Sequence, residues 1–250
     1  MNLLLDIGNS RICWAYWDGV ALREPGTVLH RGRDPADCMD FLDQFRSELS
    51  AVFAANVAGA AMADALAGAV AKRWSCPLRF ARPERSACGV TNAYLDHRQL
   101  GVDRWLAVMA AYLAHHKAVC VVDAGTAITL DQVDDDGRHL GGLIVPGLDL
   151  MRGALDRETS DLARLGARRT AVSSPPKSMT AITTPDAMLG GSFMAAACLI
   201  EHSVKTLRQR HANASLVITG GDAERLLPML DADADYRPLL VLEGLAARMS

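Results

Sequence analysis

The sequence lacks the motifs that mark several common classes of enzyme. Its six cysteines form no CxxC pair, and its seven histidines show no ligand spacing. Reduced, mostly buried thiols are therefore expected in place of disulfides or a zinc site. The chain also has no GxxxxGK phosphate loop, GxGxxG fingerprint, HExxH helix or GxSxG elbow. P-loop NTPases, dinucleotide-binding enzymes, zinc proteases and α/β-hydrolases consequently have little support.

Charge and hydropathy argue against two further kinds of partner. The net charge is −3 and the Lys and Arg residues are dispersed, so no electrostatic footprint for nucleic acid is present. No uninterrupted apolar run reaches the roughly 18 residues of a membrane span. The N-terminal apolar residues meet Asp6 at once, unlike a signal peptide. We therefore expect a cytoplasmic protein with small-molecule partners, no nucleic acid and no membrane.

The most informative stretch covers residues 119–147. An apolar run ends in Asp123, small residues including Gly125 and Thr126 follow, and β-branched residues then resume. This pattern predicts a strand, a tight loop and a second strand. A carboxylate beside a Gly-Thr turn suits a cation with its attached phosphate, because glycine lets the backbone approach and amides and hydroxyls donate to phosphate oxygens. The alternative is an ordinary hairpin with an Asp-Gly turn at residues 136–137.

The same pattern occurs near the N-terminus, which favours the phosphate-loop interpretation. Residues 3–5 are leucines, Asp6 and Gly8 follow, and a second apolar stretch ends at the Asp-Gly pair of residues 18–19. The distance from the aspartate to the turn glycine differs by one residue between the copies. Such repetition predicts a duplicated α/β domain with a nucleotide in the cleft between the copies.

Other segments support alternating strands and helices. Asp34 is predicted to cap a helix whose apolar face extends from Cys38 to Leu49. Strands are expected at residues 51–57 and 216–219, and helices at 60–74, after 105, after 147 and at 239–249. Residues 168–183 are expected to form a long irregular loop, and Thr184 with Pro185 predicts a helix start. This alternation indicates a sheet covered by helices.

Seven short motifs together resemble one family. They are DIGNS at residues 6–10, CGVTNAY at 88–94, LGVDRW at 100–105, DAGTAITLD at 123–131, GGLIVPG at 141–147, TPDAM at 184–188 and TGG at 219–221. The layout resembles the superfamily of acetate and sugar kinases, actin and heat-shock chaperone ATPases, and more closely type III pantothenate kinases. This resemblance implies an α/β chain of two duplicated ribonuclease H-like, actin-like ATPase domains, residues 1–116 and 117–250.

The resemblance also implies an activity, cofactors and site residues. The activity would be ATP-dependent phosphorylation of pantothenate, the first step of coenzyme A biosynthesis, by a homodimer that uses Mg²⁺ and a monovalent cation, K⁺ or NH₄⁺. Asp103 would be the catalytic base, Asp123 the ligand of the monovalent cation, and Asp6 a magnesium-linked residue. Substrate-binding positions would be Tyr94, Gly101, Val102, Asp103, Arg104 and Thr184. ATP-binding positions would be Asp6, Ile7, Gly8, Asn9, Ser10, Arg11, Ile12, Cys13, Gly125 and Thr126.

Two of these roles compete with purely structural explanations. Asp103 at a helix start could complement the helix dipole, although Arg104 in the same first turn is unfavourable there, so capping does not explain the pair. An aspartate at that place can orient an acceptor hydroxyl and take its proton, and Arg104 can pair with a carboxylate as a bidentate fork. For Thr184, helix capping alone is a sufficient explanation.

One departure from the family pattern leaves alternatives open. Cys13 stands where a lysine is usual, and Arg11, two residues earlier on the same strand face, is a partial substitute. A non-catalytic nucleotide-binding regulator, similar to accessory transcription factors, is therefore one alternative. Another is a kinase of the same superfamily that acts on a different small hydroxylated substrate.

Overall fold

The computed structural model describes residues 1–158 and 180–249. These residues form two compact units, Met1–Leu113 with Leu239–Ser250, and Ala114–Pro238. The boundary lies close to the predicted division at residue 116. The C-terminal segment, however, belongs with the first unit, because its helix contacts β-strands near the N-terminus. Most of the predicted loop at residues 168–183 lies outside the described residues.

The first unit is built on a five-stranded mixed sheet. Its strands in chain order are β1 (Asn2–Ile7), β2 (Arg11–Trp17), β3 (Leu22–Leu29), β4 (Ala51–Asn56) and β5 (Leu78–Phe80). In the sheet they lie in the order β3-β2-β1-β4-β5, with β1 antiparallel to β2 and parallel to β4. A short separate hairpin follows, formed by β6 (Ser86–Ala87) and β7 (Val90–Thr91).

Helices cover this sheet. They are α1 (Ala60–Arg73), α2 (Val102–His115), which begins in this unit, and the C-terminal helix Leu240–Ala247, with short 3₁₀ helices at Asp37–Gln44 and His97–Gln99. A Cβ at Gly244 would overlap the backbone of Leu106 on α2, so the C-terminal helix packs directly on α2. The core lies between the sheet and α1, and includes Leu5, Val52 and Leu66, all with no exposed surface.

The second unit repeats the strand order of the first. Its strands are β8 (Val119–Ala124), β9 (Ala127–Val133), β10 (His139–Pro146), β11 (Ser215–Thr219) and β12 (Ala234–Tyr236). They lie in the order β10-β9-β8-β11-β12, again with the first strand antiparallel to the second and parallel to the fourth. The two sheets therefore match strand for strand, and the predicted duplication is confirmed.

The helices of the second unit differ in length from those of the first. They are α3 (Leu148–Glu158), α4 (Thr184–Arg210) and the short α5 (Ala223–Leu226), which is followed by a 3₁₀ turn at Leu227–Met229. The C-terminal helix Leu240–Ala247 of the first unit is therefore numbered α6. Helix α4 buries Phe193, Ala196 and Ile200 in the core with residues of β8 and β11. By length and composition α4 is the one described helix that could span a membrane, but these buried residues make it a core helix here.

The helix predicted after Asp34 is wrong in type and length. The chain forms a 3₁₀ helix at Asp37–Gln44, and the Asp34 carboxylate accepts the N–H of Ala36, 2.8 Å away, as in a turn. Phe41 and Phe45 are buried as expected, because both pack on Trp14 with ring centroids 5.5–5.7 Å apart. Tertiary aromatic packing therefore fixes the segment, and a regular α-helix is not needed to bury its apolar side chains.

Candidate active site

The first predicted phosphate loop joins β1 to β2. Residues 8–10 form the connection, and the N–H of Gly8 donates to the carbonyl of Arg11 at 3.0 Å, which closes a tight turn. Asp6 pairs with Cys13 across the antiparallel strands, so the two side chains lie on the same face of the sheet. Cys13 is therefore a direct neighbour of Asp6 across the two strands.

Sequence reasoning missed a histidine that holds this loop. The N–H of His30 donates to the carbonyl of Ser10 at 3.0 Å, and its ring Nε2 lies 2.8 Å from the carbonyl of Gly8. Since a carbonyl only accepts, Nε2 carries a proton. The residue is 6% exposed. His30 therefore fixes two carbonyls of the loop, and no local sequence signal identifies it, because it lies 20 residues from Ser10 in sequence.

The second predicted phosphate loop joins β8 to β9 through Gly125 and Thr126. The N–H of Gly125 donates to Ala127 at 3.0 Å, which repeats the closure of the first loop with one residue fewer. The N–H of Gly147 donates to the carbonyl of Thr126 at 3.0 Å. A Cβ at Gly147 would overlap the carbonyl of Gly125 and lie 2.6 Å from that of Thr126. Backbone packs directly on backbone at this position.

A third backbone segment packs on Asp123. Gly220, at a φ of +93°, leaves no space for a Cβ, which would overlap the carbonyl of Ala124 and the Asp123 carboxylate. The N–H of Asp222 donates to Ala124 at 2.8 Å. The TGG motif therefore requires glycine for two reasons, its left-handed backbone and this close approach.

The predicted catalytic aspartate lies in the first turn of α2. The Asp103 carboxylate accepts the N–H of Arg104 at 2.8 Å, and a Cβ at Gly101 would lie 2.6 Å from the same oxygen. Gly101 thus leaves room for the carboxylate at the helix start. Asp103 is half-buried, and the turn is closed by the N–H of Trp105, which donates to Gly101 at 2.9 Å.

The structure brings Arg104 and Tyr94 together. Arg104 is 6% exposed, its Nη1 donates to the Tyr94 hydroxyl at 3.0 Å, and its guanidinium lies 5.8 Å from the centre of the Tyr94 ring. A buried guanidinium suits an anionic group, since an ion removed from water needs a charged or polar partner. Val102, at the first position of the helix, is buried beside them.

Thr184 does not cap its helix. Thr183 is the N-cap of α4, and its hydroxyl accepts the N–H of Asp186 at 3.3 Å. Thr184 is the first helical residue, so the prediction that capping explains this threonine is wrong by one position. Thr184, Asp123, Gly125 and Thr126 belong to the second unit, whereas the other predicted site residues belong to the first.

The cysteines and histidines offer no separate metal centre in the described ranges, where no group of three or more His, Cys, Asp or Glu forms a candidate site. All six cysteines are present as thiols. Burial raises the pKa of the Cys120 thiol to about 12. A thiol with such a pKa is inert at neutral pH, so Cys120 is a core residue of β8.

Comparison with solved structures first defines the fold. The chain has the fold of actin-like ATPase-type kinases. A 2-dehydro-3-deoxygalactonokinase protein from Sinorhizobium meliloti superposes with a TM-score of 0.55 at 15% identity, over 100% of this chain and 99% of that one. A glucokinase of the ROK family from Streptomyces griseus gives a TM-score of 0.50 at 12% identity. At these identities the likeness concerns the fold alone.

Sequence comparison then gives the family. A family profile described as type III pantothenate kinase matches residues 2–206. The type III pantothenate kinase of Alkalilimnicola ehrlichii is 40% identical over 98% of this chain and 96% of its own length. That of Nitrosococcus oceani is 36% identical over 98% and 92%. The chain belongs to the type III pantothenate kinase family.

Proposed function

We propose that this protein transfers the γ-phosphoryl group of ATP to the primary hydroxyl of pantothenate, giving 4'-phosphopantothenate in the first step of coenzyme A biosynthesis. The observation that carries the proposal is the first turn of α2. There the Asp103 carboxylate is held by a backbone N–H, and the buried Arg104 guanidinium is bonded to Tyr94. Phosphorylation of a hydroxylated carboxylic acid needs a base near its hydroxyl and a cation near its carboxylate, and Asp103 and Arg104 are suited to these two roles.

The two glycine loops are proposed to bind the phosphates of ATP. Phosphoryl transfer depends mostly on position and on electrostatic stabilisation of charge on the phosphate oxygens. Residues 8–10 and 125–126 provide backbone amides and the hydroxyls of Ser10 and Thr126. Ile7, Asn9, Arg11, Ile12 and Cys13 flank the first loop. The side chain of His30 bonds to the carbonyl of Gly8 in the first loop, and the N–H of Gly147 bonds to the carbonyl of Thr126 in the second.

Asp103 is proposed as the general base. Its carboxylate would orient the acceptor hydroxyl and accept the proton as the oxygen attacks phosphorus, and such assistance typically contributes roughly 10²–10⁴-fold in rate. Arg104 would bind the pantothenate carboxylate, with Tyr94, Gly101 and Val102 shaping the same turn. Thr184 is a further proposed contact, and its hydroxyl is not used as a helix cap.

The residues around the two strand-end aspartates fit cations. Asp123 lies beside the backbone carbonyl of Ala124, and both are within contact of the Gly220 position. Carboxylate and carbonyl oxygens are suitable ligands for a hard monovalent cation such as K⁺ or NH₄⁺, and Asp6 offers a carboxylate for Mg²⁺ or its bound water. When bound, the cations would neutralise charge on the phosphate oxygens.

A homodimer is proposed from the surface of the second unit. The edge strand β10 exposes Leu143 (51%) and Ile144 (62%). The outer face of α4 exposes small residues, Ala187, Gly191, Ala195 and Cys198. Edge strands with exposed apolar side chains are usually covered in the native assembly.

Sedimentation should give a dimer that Ile144→Lys converts to a monomer. Val20→Lys, at an exposed position of the first unit, should not change the mass, and a wild-type monomer would contradict the proposal.

The proposed location is the cytoplasm, where ATP and free thiols coexist. Six cysteines present as thiols are consistent with a reducing compartment. Localisation of a fluorescently tagged full-length chain would test this, and a membrane-associated signal would contradict it.

A regulator without catalysis is the alternative with a specific observation behind it. A solved structure described as a Baf family transcriptional activator from Campylobacter jejuni is 25% identical to this chain, with a TM-score of 0.61 over 97% of this chain and 94% of that one. Cys13 in place of lysine adds to that possibility. The curated relatives at 36–40% identity carry the name of the enzyme, and this favours catalysis.

The proposed function is tested by a coupled assay of ADP release with ATP, Mg²⁺ and K⁺, with and without pantothenate. Release that requires pantothenate, and that falls when Na⁺ replaces K⁺, is the expected result. ATP binding without pantothenate-dependent release would instead favour the regulator. Release with a different hydroxylated acid would favour another kinase of the same fold.

A further inference from the structure

We propose that Arg85 is a positioning residue for the acceptor site, which acts by fixing the segment that carries Tyr94. The expected effect on the KM for pantothenate rests on the proposed function, whereas the hydrogen bonds of Arg85 do not depend on which substrate binds. Arg85 lies three residues before the CGVTNAY motif, and its side chain bonds to the backbone carbonyl of one predicted site residue, Tyr94.

The guanidinium of Arg85 binds three backbone carbonyls. Its Nη1 donates to the carbonyls of Asn92 at 3.3 Å and Tyr94 at 3.0 Å, and its Nη2 donates to that of Leu95 at 3.0 Å. Hydrogen bonds from a charged donor are stronger than those between neutral groups. One side chain therefore binds three carbonyls of residues 92–95, a segment that has no regular secondary structure of its own.

Asn92 completes the support from the other side. It is 2% exposed, and its Oδ1 accepts the N–H of Tyr94 at 3.0 Å. Its Nδ2 donates to the carbonyls of Glu84 and His97, each at 3.4 Å. Both the N–H and the carbonyl of Tyr94 are thus held, and the backbone of this residue has one orientation.

The hairpin β6–β7 explains how Arg85 and Asn92 meet. Its central residues Cys88 and Gly89 both have positive φ, +51° and +79°, as the tightest hairpin turns require. Arg85 directly precedes β6 and Asn92 directly follows β7, and the N–H of Asn92 donates to the carbonyl of Arg85 at 2.9 Å. The Cys-Gly pair of the CGVTNAY motif is therefore a turn that brings these two residues together.

The chain of contacts ends at the acceptor site. Tyr94 accepts a hydrogen bond from Arg104, and Arg104 follows the proposed base directly in sequence. Displacement of Tyr94 would shift the guanidinium that is proposed to bind the substrate carboxylate. Because small displacements in an active site have large kinetic effects, removal of Arg85 should weaken pantothenate binding and leave ATP binding unchanged.

The kinetic test compares Arg85→Ala with Arg98→Ala. Arg98 is an arginine near the same segment, but its side chain bonds to the Asp96 carboxylate and is 78% exposed. Arg85→Ala should raise the KM for pantothenate about tenfold, with the KM for ATP unchanged, and Arg85→Lys should recover part of the loss. Arg98→Ala should resemble the wild type. An unchanged KM for pantothenate in Arg85→Ala would overturn the proposal.

A double-mutant cycle separates positioning from a general loss of folding. In a Tyr94→Phe background, which lacks the hydroxyl that Arg104 reaches, Arg85→Ala should raise the KM for pantothenate much less than in the wild type. If Arg85 only stabilised the fold, the variant would lower the active fraction, with both KM values constant in either background. That result would contradict the assignment.

A measurement without substrate keeps the proposal distinct from the proposed function. Hydrogen exchange of the peptide that covers residues 92–97 should become faster in Arg85→Ala and stay slow in Arg98→Ala, because Arg85 is the one of these two arginines whose side chain bonds to carbonyls of this peptide. If the wild type phosphorylates no pantothenate but exchange behaves as described, the proposed function fails and the structural role of Arg85 stands. Unchanged exchange would overturn it.

Discussion

The two glycine loops of this protein have the same topology but are held by different means. Each follows the first strand of a five-stranded sheet, contains an aspartate near the strand end, and is closed by a glycine N–H at 3.0 Å. The first loop is fixed by one side chain, His30. The second is enclosed by the backbones of Gly147 and Gly220, which leave no space for a Cβ. The two units therefore share the strand-loop-strand topology, while the loops differ by one residue in length and in the groups that hold them.

Among changes at the two loops, the largest effect is expected from adding a methyl group beside the second loop. Gly220→Ala would create an overlap with the Asp123 carboxylate and the Ala124 carbonyl, and alanine at a positive φ costs more than about 1 kcal/mol by itself. We expect kcat/KM for ATP to fall by more than about tenfold and the melting temperature to fall. The matched change in the first loop, Gly8→Ala, should cost less, because its Cβ would lie 3.4 Å from Arg11 O.

A glycine elsewhere provides the control for this comparison. Gly68, in the interior of α1, has nothing within 4 Å of an added Cβ. Gly68→Ala should stabilise the protein by about 0.5–1 kcal/mol through helix propensity and leave the kinetics unchanged. Equal losses in Gly220→Ala and Gly8→Ala would show that backbone enclosure does not distinguish the two loops.

A smaller effect is expected from removal of the side chain that holds the first loop. His30→Ala should raise the KM for ATP roughly 2- to 12-fold, which corresponds to about 0.5–1.5 kcal/mol for one hydrogen bond. His30→Gln, which keeps an N–H donor, should recover part of this. The KM for pantothenate should not change in steady-state assays, and parallel changes in both KM values would refute a role confined to the loop.

A lysine at position 13, which the resemblance leads us to expect there, should strengthen ATP binding at the first loop. Cys13 lies opposite Asp6, whereas Asp123 lies opposite Thr129 in the second copy. Cys13→Lys should lower the KM for ATP by about threefold, as expected for one partly exposed charge beside a polyanion. Cys13→Ser is the neutral control and should match the wild type. If the lysine variant bound ATP no better in titration calorimetry, Cys13 would not be the cause of weakened phosphate binding.

The smallest effect concerns the Asp-Gly turn after β2. The N–H of Ala21, the Arg23 side chain and the N–H of Val20 lower the pKa of Asp18 from 3.8 to about 2. The charged carboxylate therefore stabilises the folded state above about pH 4, and this contribution is lost as the pH falls toward 2. Asp18→Asn should make the urea midpoint less dependent on pH in that window. An unchanged acid dependence would mean that other carboxylates govern it.

Much of the fold could be predicted because its signals are local. The alternating strands, the small residues after Asp6 and Asp123, and the two Asp-Gly turns specify both hairpins, and their repetition specifies the duplication. The Asp34 segment could not be assigned correctly, since its conformation depends on packing against Trp14 on a distant strand. Likewise, nothing in residues 239–249 indicates that this helix packs in the first unit.

The site was predicted less completely than the fold. The motif residues Asp103, Arg104 and Tyr94 were predicted to belong to the site, and the structure places Arg104 and Tyr94 in direct contact. His30 and Arg85 were not, because each acts on backbone carbonyls, and a side chain that binds backbone leaves no pattern in its partners' sequence. Thr183 took the capping role expected for Thr184, since consecutive threonines before Pro185 cannot be distinguished without the backbone angles.

The most direct test of the account is the turnover of Asp103→Asn with ATP, Mg²⁺, K⁺ and pantothenate, measured beside its affinity for ATP. The substitution keeps the size of the side chain but removes the base. The account predicts a loss of kcat of roughly 10²–10⁴-fold with an unchanged dissociation constant for ATP. Turnover close to that of the wild type would contradict the assignment of Asp103 as the base that accepts the proton of pantothenate.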